Sequence, residues 1–194
     1  TKNGVAQPGI IVGFEIVSGP NTGITDVGLT NALGRTTFTY TGTGGVGTDT
    51  IIATRRVVGF SLLGSATKTG IDISGSLAPL VDSNQVGTNH TVTASVFNGG
   101  APINPDGGQI LFEILAGSPN AGGPFIRLTG GDNNADFTYT SNGTIGTDTI
   151  RSTGTVSGVP FSCTATKNWI NAGCSLLPAT ETVPVNTSQD VTVT

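Results

Sequence analysis

Residues 38–51 read FTYTGTGGVGTDTI, and residues 137–150 read FTYTSNGTIGTDTI. The two stretches are 99 positions apart, and this offset continues without a gap from residues 21–95 to residues 120–194. Of the 75 aligned pairs, 28 are identical, which is far more than chance gives. Self-similarity at a fixed period is the signature of a repeat architecture. A period of about 100 residues is long enough for a small domain with its own core.

The repeat divides the chain into three parts. Residues 176–194 repeat the pattern of residues 77–95, and residues 1–4 continue the same pattern, with Asn3-Gly4 in the place of Asn98-Gly99. We therefore expect residues 1–75 to be a module without its first strand and residues 76–174 to be a complete module. Residues 175–194 should be the first strand of the next module, which completes residues 1–75 of the following copy. No residue is missing at this seam, so we expect Thr194 of one copy to continue into Thr1 of the next.

Short strands with one apolar face account for most of each module. Apolar residues alternate with polar ones, as strands with one buried face require, in these sets: Ile10, Val12, Phe14 and Ile16; Ile110, Phe112 and Ile114; Val92, Ala94 and Val96; Phe38 and Tyr40; Phe137 and Tyr139; Val191 and Val193. Turn residues such as Gly, Pro and Asn separate these runs. The sequence predicts an all-β chain of tandem immunoglobulin-like β-sandwiches with about seven strands each.

Five motifs recur in the same order in each module, and together they carry a family resemblance. They are an Asn-Gly pair, a Phe-Glu-Ile strand, a Pro-Asn turn, the long Phe-to-Ile stretch and an Ala-Thr-Lys strand end. Their positions are 3–4, 14–16, 20–21, 38–51 and 66–68 in the first copy, and 98–99, 112–114, 119–120, 137–150 and 165–167 in the second. This order resembles the bacterial immunoglobulin-like repeat of invasin- and intimin-type surface proteins. The resemblance implies tandem modules in cell-surface rods, adhesins or matrix proteins, and it implies no catalytic residue.

Composition excludes several classes of partner. The chain has 8 basic and 12 acidic residues, and its net charge is −4. Nucleic acid or an anionic membrane would require clustered Lys and Arg, so we expect neither partner. No stretch approaches the roughly 18 apolar residues of a membrane helix, so we expect no membrane insertion. The partner that the repeat predicts is another copy, joined end to end through residues 176–194 and 1–75.

The two cysteines, Cys163 and Cys174, align with Gly64 and Gly75 in the other copy. Joint replacement by glycine is typical of a bonded pair, and the sequence predicts a Cys163–Cys174 disulfide at a module junction. Such a bond implies an oxidising, extracellular setting. Free buried cysteines are the alternative.

Only weak candidates exist for a metal site or a modification. Asp132, Asn134 and Asp136 have the spacing of calcium ligands, but the glycine and glutamate of a calcium loop are lacking, so a hairpin turn is the better interpretation. An isopeptide bond at Lys68 or Lys167 would need a buried lysine beside an asparagine and a carboxylate, and the sequence reveals no such trio. We predict no metal and no cofactor.

Candidates for catalysis are weaker still. The single histidine, His90, is expected in an exposed loop, without the carboxylate that a Ser-His-Asp site needs. Glu15 and Glu113 occupy equivalent positions in separate modules, too far apart to act as a pair. The sequence therefore predicts that the chain is not an enzyme.

These observations predict an extracellular structural repeat that forms a stalk, fibre or matrix filament of immunoglobulin-like modules in series. One alternative is a subunit of a pilus-like filament, in which residues 176–194 complete the split module of the next subunit. A second is an adhesin or glycan-binding module that recognises a cell-surface ligand through its loops. Glycan binding would need an exposed aromatic residue, and the only tryptophan, Trp169, is expected to pack.

Overall fold

The computed structural model describes residues 5–55, 61–173 and 176–193. Their regular structure is almost entirely β, and the described residues contain no α-helix and one 3-10 turn, at Asp106–Gly108. No helix among them is long and apolar enough to cross a membrane. The chain divides into two compact units. The first takes residues up to 74 together with 96–103, and the second takes residues 75–95 and those from 104 onward.

The first unit contains one four-stranded antiparallel sheet in the order β2-β1-β3-β4. The strands are β1 (Ile11–Ser18), β2 (Thr25–Leu29), β3 (Gly47–Arg55) and β4 (Ser61–Gly70). Val12 and Ile16 of β1 are buried on one face of this sheet, as the alternation predicts. The FTYT stretch at residues 38–41 lies outside any strand here.

The next strands lie in two sheets, which consist mostly of residues of the second unit, although residues 73–74 and 96–103 belong to the first. These strands are β5 (Ile73–Ala78), β6 (Val81–Gln85), β7 (Asn89–Asn98), β8 (Ala101–Pro102), β9 (Gln109–Ile114), β10 (Gly122–Leu128), β11 (Asn134–Thr140), β12 (Gly146–Val156) and β13 (Val159–Ile170). One sheet has the order β10-β9-β12-β13-β6, and the other has the order β11-β7-β5, with β8 beside β7. The chain crosses from one sheet to the other between β5 and β6. There β6 pairs in parallel with β13, whereas most other pairs are antiparallel. This order is that of an immunoglobulin-like sandwich.

Apolar side chains from both sheets fill the core of the sandwich. The predicted inward residues of β7, β9 and β11 are buried, namely Val92, Ala94, Val96, Ile110, Phe112, Ile114 and Phe137. Across the core, the rings of Phe112 and Phe137 stack with their centroids 5.3 Å apart. These positions confirm the strand pattern read from the sequence.

The last described segment forms a two-stranded antiparallel ladder of β14 (Leu176–Leu177) and β15 (Thr192–Val193). Several residues of the sequence predictions lie outside the described residues, namely Thr1, Asn3-Gly4, Cys174 and Thr194. The expected seam between copies and the division at residues 1–75, 76–174 and 175–194 therefore stay predictions.

Candidate functional site

The carboxylate of Asp148 on β12 of the second unit is fully buried and accepts several hydrogen bonds. Its Oδ1 accepts a hydrogen bond from the backbone N–H of Asn120, at 3.0 Å. Its Oδ2 accepts from Asn120 Nδ2 at 2.8 Å, from the hydroxyl of Tyr139 at 2.9 Å and from Trp169 Nε1 at 2.6 Å. Burial and the Asp148 hydrogen bond raise the pKa of Tyr139 well above its ordinary value. The cluster ties the turn after β9 to β11, β12 and β13.

The first unit contains the same cluster around Asp49. Its Oδ1 accepts from the backbone N–H of Asn21 at 2.9 Å, and its Oδ2 accepts from Asn21 Nδ2 at 2.7 Å and from Tyr40 at 2.8 Å. Burial raises the pKa of Asp49, but the hydrogen bonds from Asn21 and Tyr40 outweigh it and lower that pKa. The Pro-Asn turn and the residues FTYT and GTDTI recur in the sequence because they build this cluster.

A buried lysine joins the last strand of the second unit to β6. The side chain of Lys167 on β13 is fully buried, and its Nζ forms an ion pair with Oδ2 of Asp82, whose side chain is 36% exposed. The same Nζ lies over the ring of Trp169, 5.1 Å from its centroid. The hydrogen bond from Lys167 lowers the pKa of Asp82. Lys167 thus has the burial and the carboxylate that an isopeptide bond needs, because Asp82 lies on a strand 85 residues away in the sequence.

His90 lies in β7 and is only 4% exposed, so the expectation of an exposed loop residue was wrong. Its Nδ1 is 3.3 Å from Oδ2 of Asp82, and its ring meets those of Tyr139 and Trp169 edge to face. Burial and the charge of Lys167 lower the pKa of His90, although Asp82 and Asp148 oppose the shift. The polar position before a strand suggested exposure, and no local pattern reveals that the second sheet covers this residue.

Trp169 is buried to 1% exposure against Tyr139 and His90. Its indole therefore packs, as expected, and offers no exposed platform for a glycan. The single tryptophan serves the hydrogen-bond cluster of Asp148 instead.

In the first unit, the corresponding region is open. Lys68 stands at the position of Lys167 and is exposed, and Gly70 stands at the position of Trp169. An open groove of about 490 Å³ lies there, lined in part by Phe38, Tyr40 and Ile51. Within the described residues, no strand pairs with the outer edge of β4 and no ion pair involves Lys68. This exposed edge and face form the candidate site.

The calcium candidates lie around the start of β11 and bind protein groups. Asp132 accepts hydrogen bonds from the backbone and side-chain nitrogens of Asn134, and Asp136 accepts one from Thr93. Among the described residues, no group of three His, Cys, Asp or Glu side chains could hold a metal ion. These contacts are those of a polar hairpin end.

Cys163 lies on the inward side of β13, half-buried, with its Sγ 2.9 Å from Oγ of Ser152. Burial raises the pKa of its thiol. Residues 163–170 of the strand rise about 23 Å, and the four residues after Ile170 can return at most about 14 Å. A disulfide needs Cα atoms within about 7 Å. The predicted bond to Cys174, which lies outside the described residues, stays a prediction and requires that β13 end earlier than it does here.

Comparisons with known proteins give structural similarities only. No protein-family model matches the sequence, and no curated protein matches it. Among solved structures, a Dscam isoform-specificity structure has 8% identity and a TM-score of 0.36 over 82% of this chain and 37% of that one. A structure of the eight N-terminal immunoglobulin domains of DSCAM has 9% identity and a TM-score of 0.36 over 87% and 23%. A chimeric titin Z1Z2 tandem has 14% identity and a TM-score of 0.33 over 65% of each chain.

This chain thus spans well under half the length of the Dscam chains that it matches. With TM-scores below 0.5, these superpositions carry no argument about fold. The immunoglobulin-like architecture rests on the strand order of the second unit.

Proposed function

We propose that this chain is an extracellular structural repeat, in which immunoglobulin-like modules follow one another and form a stalk, fibre or matrix filament. One observation carries the proposal: the cluster of Asp49, Asn21 and Tyr40 recurs as Asp148, Asn120 and Tyr139, with closely similar distances. An asparagine, a tyrosine and an aspartate that the repeat keeps identical hold strands and turns together in each unit. A chain in which each module repeats the hydrogen bonds that hold its strands and turns together is suited to a mechanical role.

The experiment is the size of the protein from its source on a denaturing gel, with and without reductant. A continuous fibre of modules should run as a chain many times larger than 19.4 kDa. Localisation is tested on the same material, because an extracellular protein should be accessible to protease on intact cells. A band near 19.4 kDa that is not a proteolytic fragment would contradict the continuous fibre.

The second candidate function is a filament subunit that donates a strand to its neighbour. Two observations favour it: the unpaired outer edge of β4 among the described residues, and the exposure of the apolar residues Val191 and Val193. An exposed strand edge accepts an added strand through its backbone groups. In that case a band near 19.4 kDa should appear on the denaturing gel, whereas native electrophoresis should show large assemblies.

A further inference from the structure

The last strands of the two units differ in what lies beside them. In the second unit, β13 has β12 along one edge and β6, in parallel, along the other. In the first unit, β4 has β3 along one edge, and no described strand lies along the other. The free edge presents backbone N–H and C=O groups that a further strand can pair with.

The sequence contains a second copy of the segment that covers β13. Residues 176–193 repeat residues 77–94, which include β6. In the second unit, Val92 and Ala94 of this segment are 0% and 1% exposed. Their counterparts Val191 and Val193 are 61% and 66% exposed. The segment therefore carries the apolar residues of a core strand in an exposed position.

Opposite charges lie at equivalent positions of β4 and of residues 176–193. In the second unit, Lys167 on β13 pairs with Asp82 on β6. Lys68 occupies the lysine position of β4, and Glu181 occupies the carboxylate position of residues 176–193. Both Lys68 and Glu181 are exposed. A lysine and a glutamate therefore stand where the covered unit has its buried ion pair, and opposite charges favour this pairing over others.

Side-chain size matches as well. A Cβ added to Gly75 would lie 3.1 Å from Sγ of Cys163 and 2.9 Å from the ring of Phe161, so only glycine fits opposite that cysteine. In the first unit, Gly64 replaces Cys163, and a Cβ added there would meet nothing within 4 Å. The chain that leads into residues 176–193 can then carry a larger residue at the position of Gly75, and the sequence has Cys174 there.

We propose that residues 176–193 of a second copy bind along β4 of the first unit, parallel to it, with Lys68 beside Glu181. The register is that of β6 on β13, which pairs Thr166 with Val81 and Lys167 with Asp82. It places Thr67 opposite Thr180. The flanking bond from Thr166 N to Leu80 O, 2.9 Å long, should recur between residues 67 and 179.

This inference rests on the proposed function, in which copies act in series, and adds the residues that join them. The second copy is either the next repeat of one chain or a separate subunit, since the docking chemistry is the same.

Zero-length carbodiimide crosslinking of the 194-residue chain tests the register. Equal amounts of ¹⁴N- and ¹⁵N-labelled chains are mixed, unfolded and refolded together, crosslinked and digested. We expect a Lys68–Glu181 crosslinked peptide that combines both labels. Lys167 and Asp82 provide the internal control, because their crosslink should form within single chains only. Formation of the control crosslink without a mixed-label Lys68–Glu181 peptide would overturn the inference.

Charge reversal provides an independent test by sedimentation. The unmodified chain should grow in mass with concentration, because the contact joins two different surfaces and does not close into a dimer. Lys68→Glu and Glu181→Lys should each weaken association about tenfold, and the double variant should restore most of it. Arg151→Glu, which breaks an exposed ion pair with Glu113 in the second unit, is the matched control and should change nothing.

Two results separate this inference from the proposed function. A monomeric chain with no mixed-label crosslink overturns the docking of residues 176–193 and leaves the tandem fibre to its own test on source material. A 19.4 kDa band from the source contradicts the continuous fibre, whereas a mixed-label crosslink in the same protein still supports the docking.

Discussion

The two units share a hydrogen-bond cluster but differ in the strand that ends each module. Asp49 and Asp148 both accept hydrogen bonds from an asparagine and a tyrosine. On β13, however, Lys167 is buried and pairs with Asp82 on the neighbouring strand β6, whereas the equivalent Lys68 on β4 is exposed. The two units therefore agree in the hydrogen-bond cluster and differ in the surroundings of the last strand. The cluster forms in both units, but the lysine of the last strand is buried only in the unit where a further strand pairs with that strand.

The largest effect is expected when the second unit is made like the first by Trp169→Gly. The change removes a buried ring and its hydrogen bond to Asp148, so the free energy of unfolding should fall by about 3–5 kcal/mol. Urea denaturation followed by circular dichroism measures it, since the only tryptophan is lost. Ile170→Gly is the control, because Ile170 is 47% exposed and should cost about 1 kcal/mol. Equal losses in the two variants would contradict the role given to the indole.

The next effect compares the two aspartates. Asp148→Asn leaves too few acceptors for its donors, and we expect a loss of about 3 kcal/mol in the free energy of unfolding. Asp49→Asn should cost less, because Asp49 has no tryptophan donor. Amide hydrogen exchange, read separately for β3 and β12, reports each unit. A larger effect at Asp49 would show that the cluster of the first unit depends on contacts other than those described.

The two lysines should respond differently to truncation. Lys167→Ala removes one partner of a buried ion pair, and because Asp82 is partly exposed we expect a moderate loss of about 2 kcal/mol. Lys68→Ala in a chain kept dilute should change the unfolding free energy by no more than about 0.5 kcal/mol. The measurement is the urea midpoint of each variant. A substantial loss for dilute Lys68→Ala would mean that Lys68 already has a partner within one copy.

The smallest effect is expected in the pH dependence of stability. It concerns His90, whose counterpart in the repeat is Gln189. The folded-state pKa of His90 lies below its unfolded value of about 6.5. Its contribution to stability is therefore complete above pH 6.5 and is lost as the pH falls from there through the folded pKa. His90→Gln should flatten the decline of the urea midpoint between pH 7.5 and 5. An identical decline in both proteins would exclude His90 as its source.

Much of the fold follows from local patterns in the sequence. Alternating residues such as Val92, Ala94 and Val96 predict a strand and its buried face, because side chains of a strand point to opposite sides in turn. The repeat of FTYT and GTDTI predicts equivalent structures. The clusters of Asp49 and Asp148 are equivalent, whereas residues 38–41 lie outside any strand and residues 137–140 lie in β11. The environment of His90 was predicted wrongly, because its neighbours come from other strands.

The sequence by itself determined the β-class, the inward faces of the main strands and the repetition of one module. These properties depend on residues close together in the chain and on identity between copies. Only the tertiary structure decided that Lys167 is buried and Lys68 exposed, although both lysines end the same Ala-Thr-Lys sequence. The reason is that Lys167 lies on β13 beside β6, whose Asp82 is 85 residues away in the sequence, whereas no described strand pairs with the outer edge of β4.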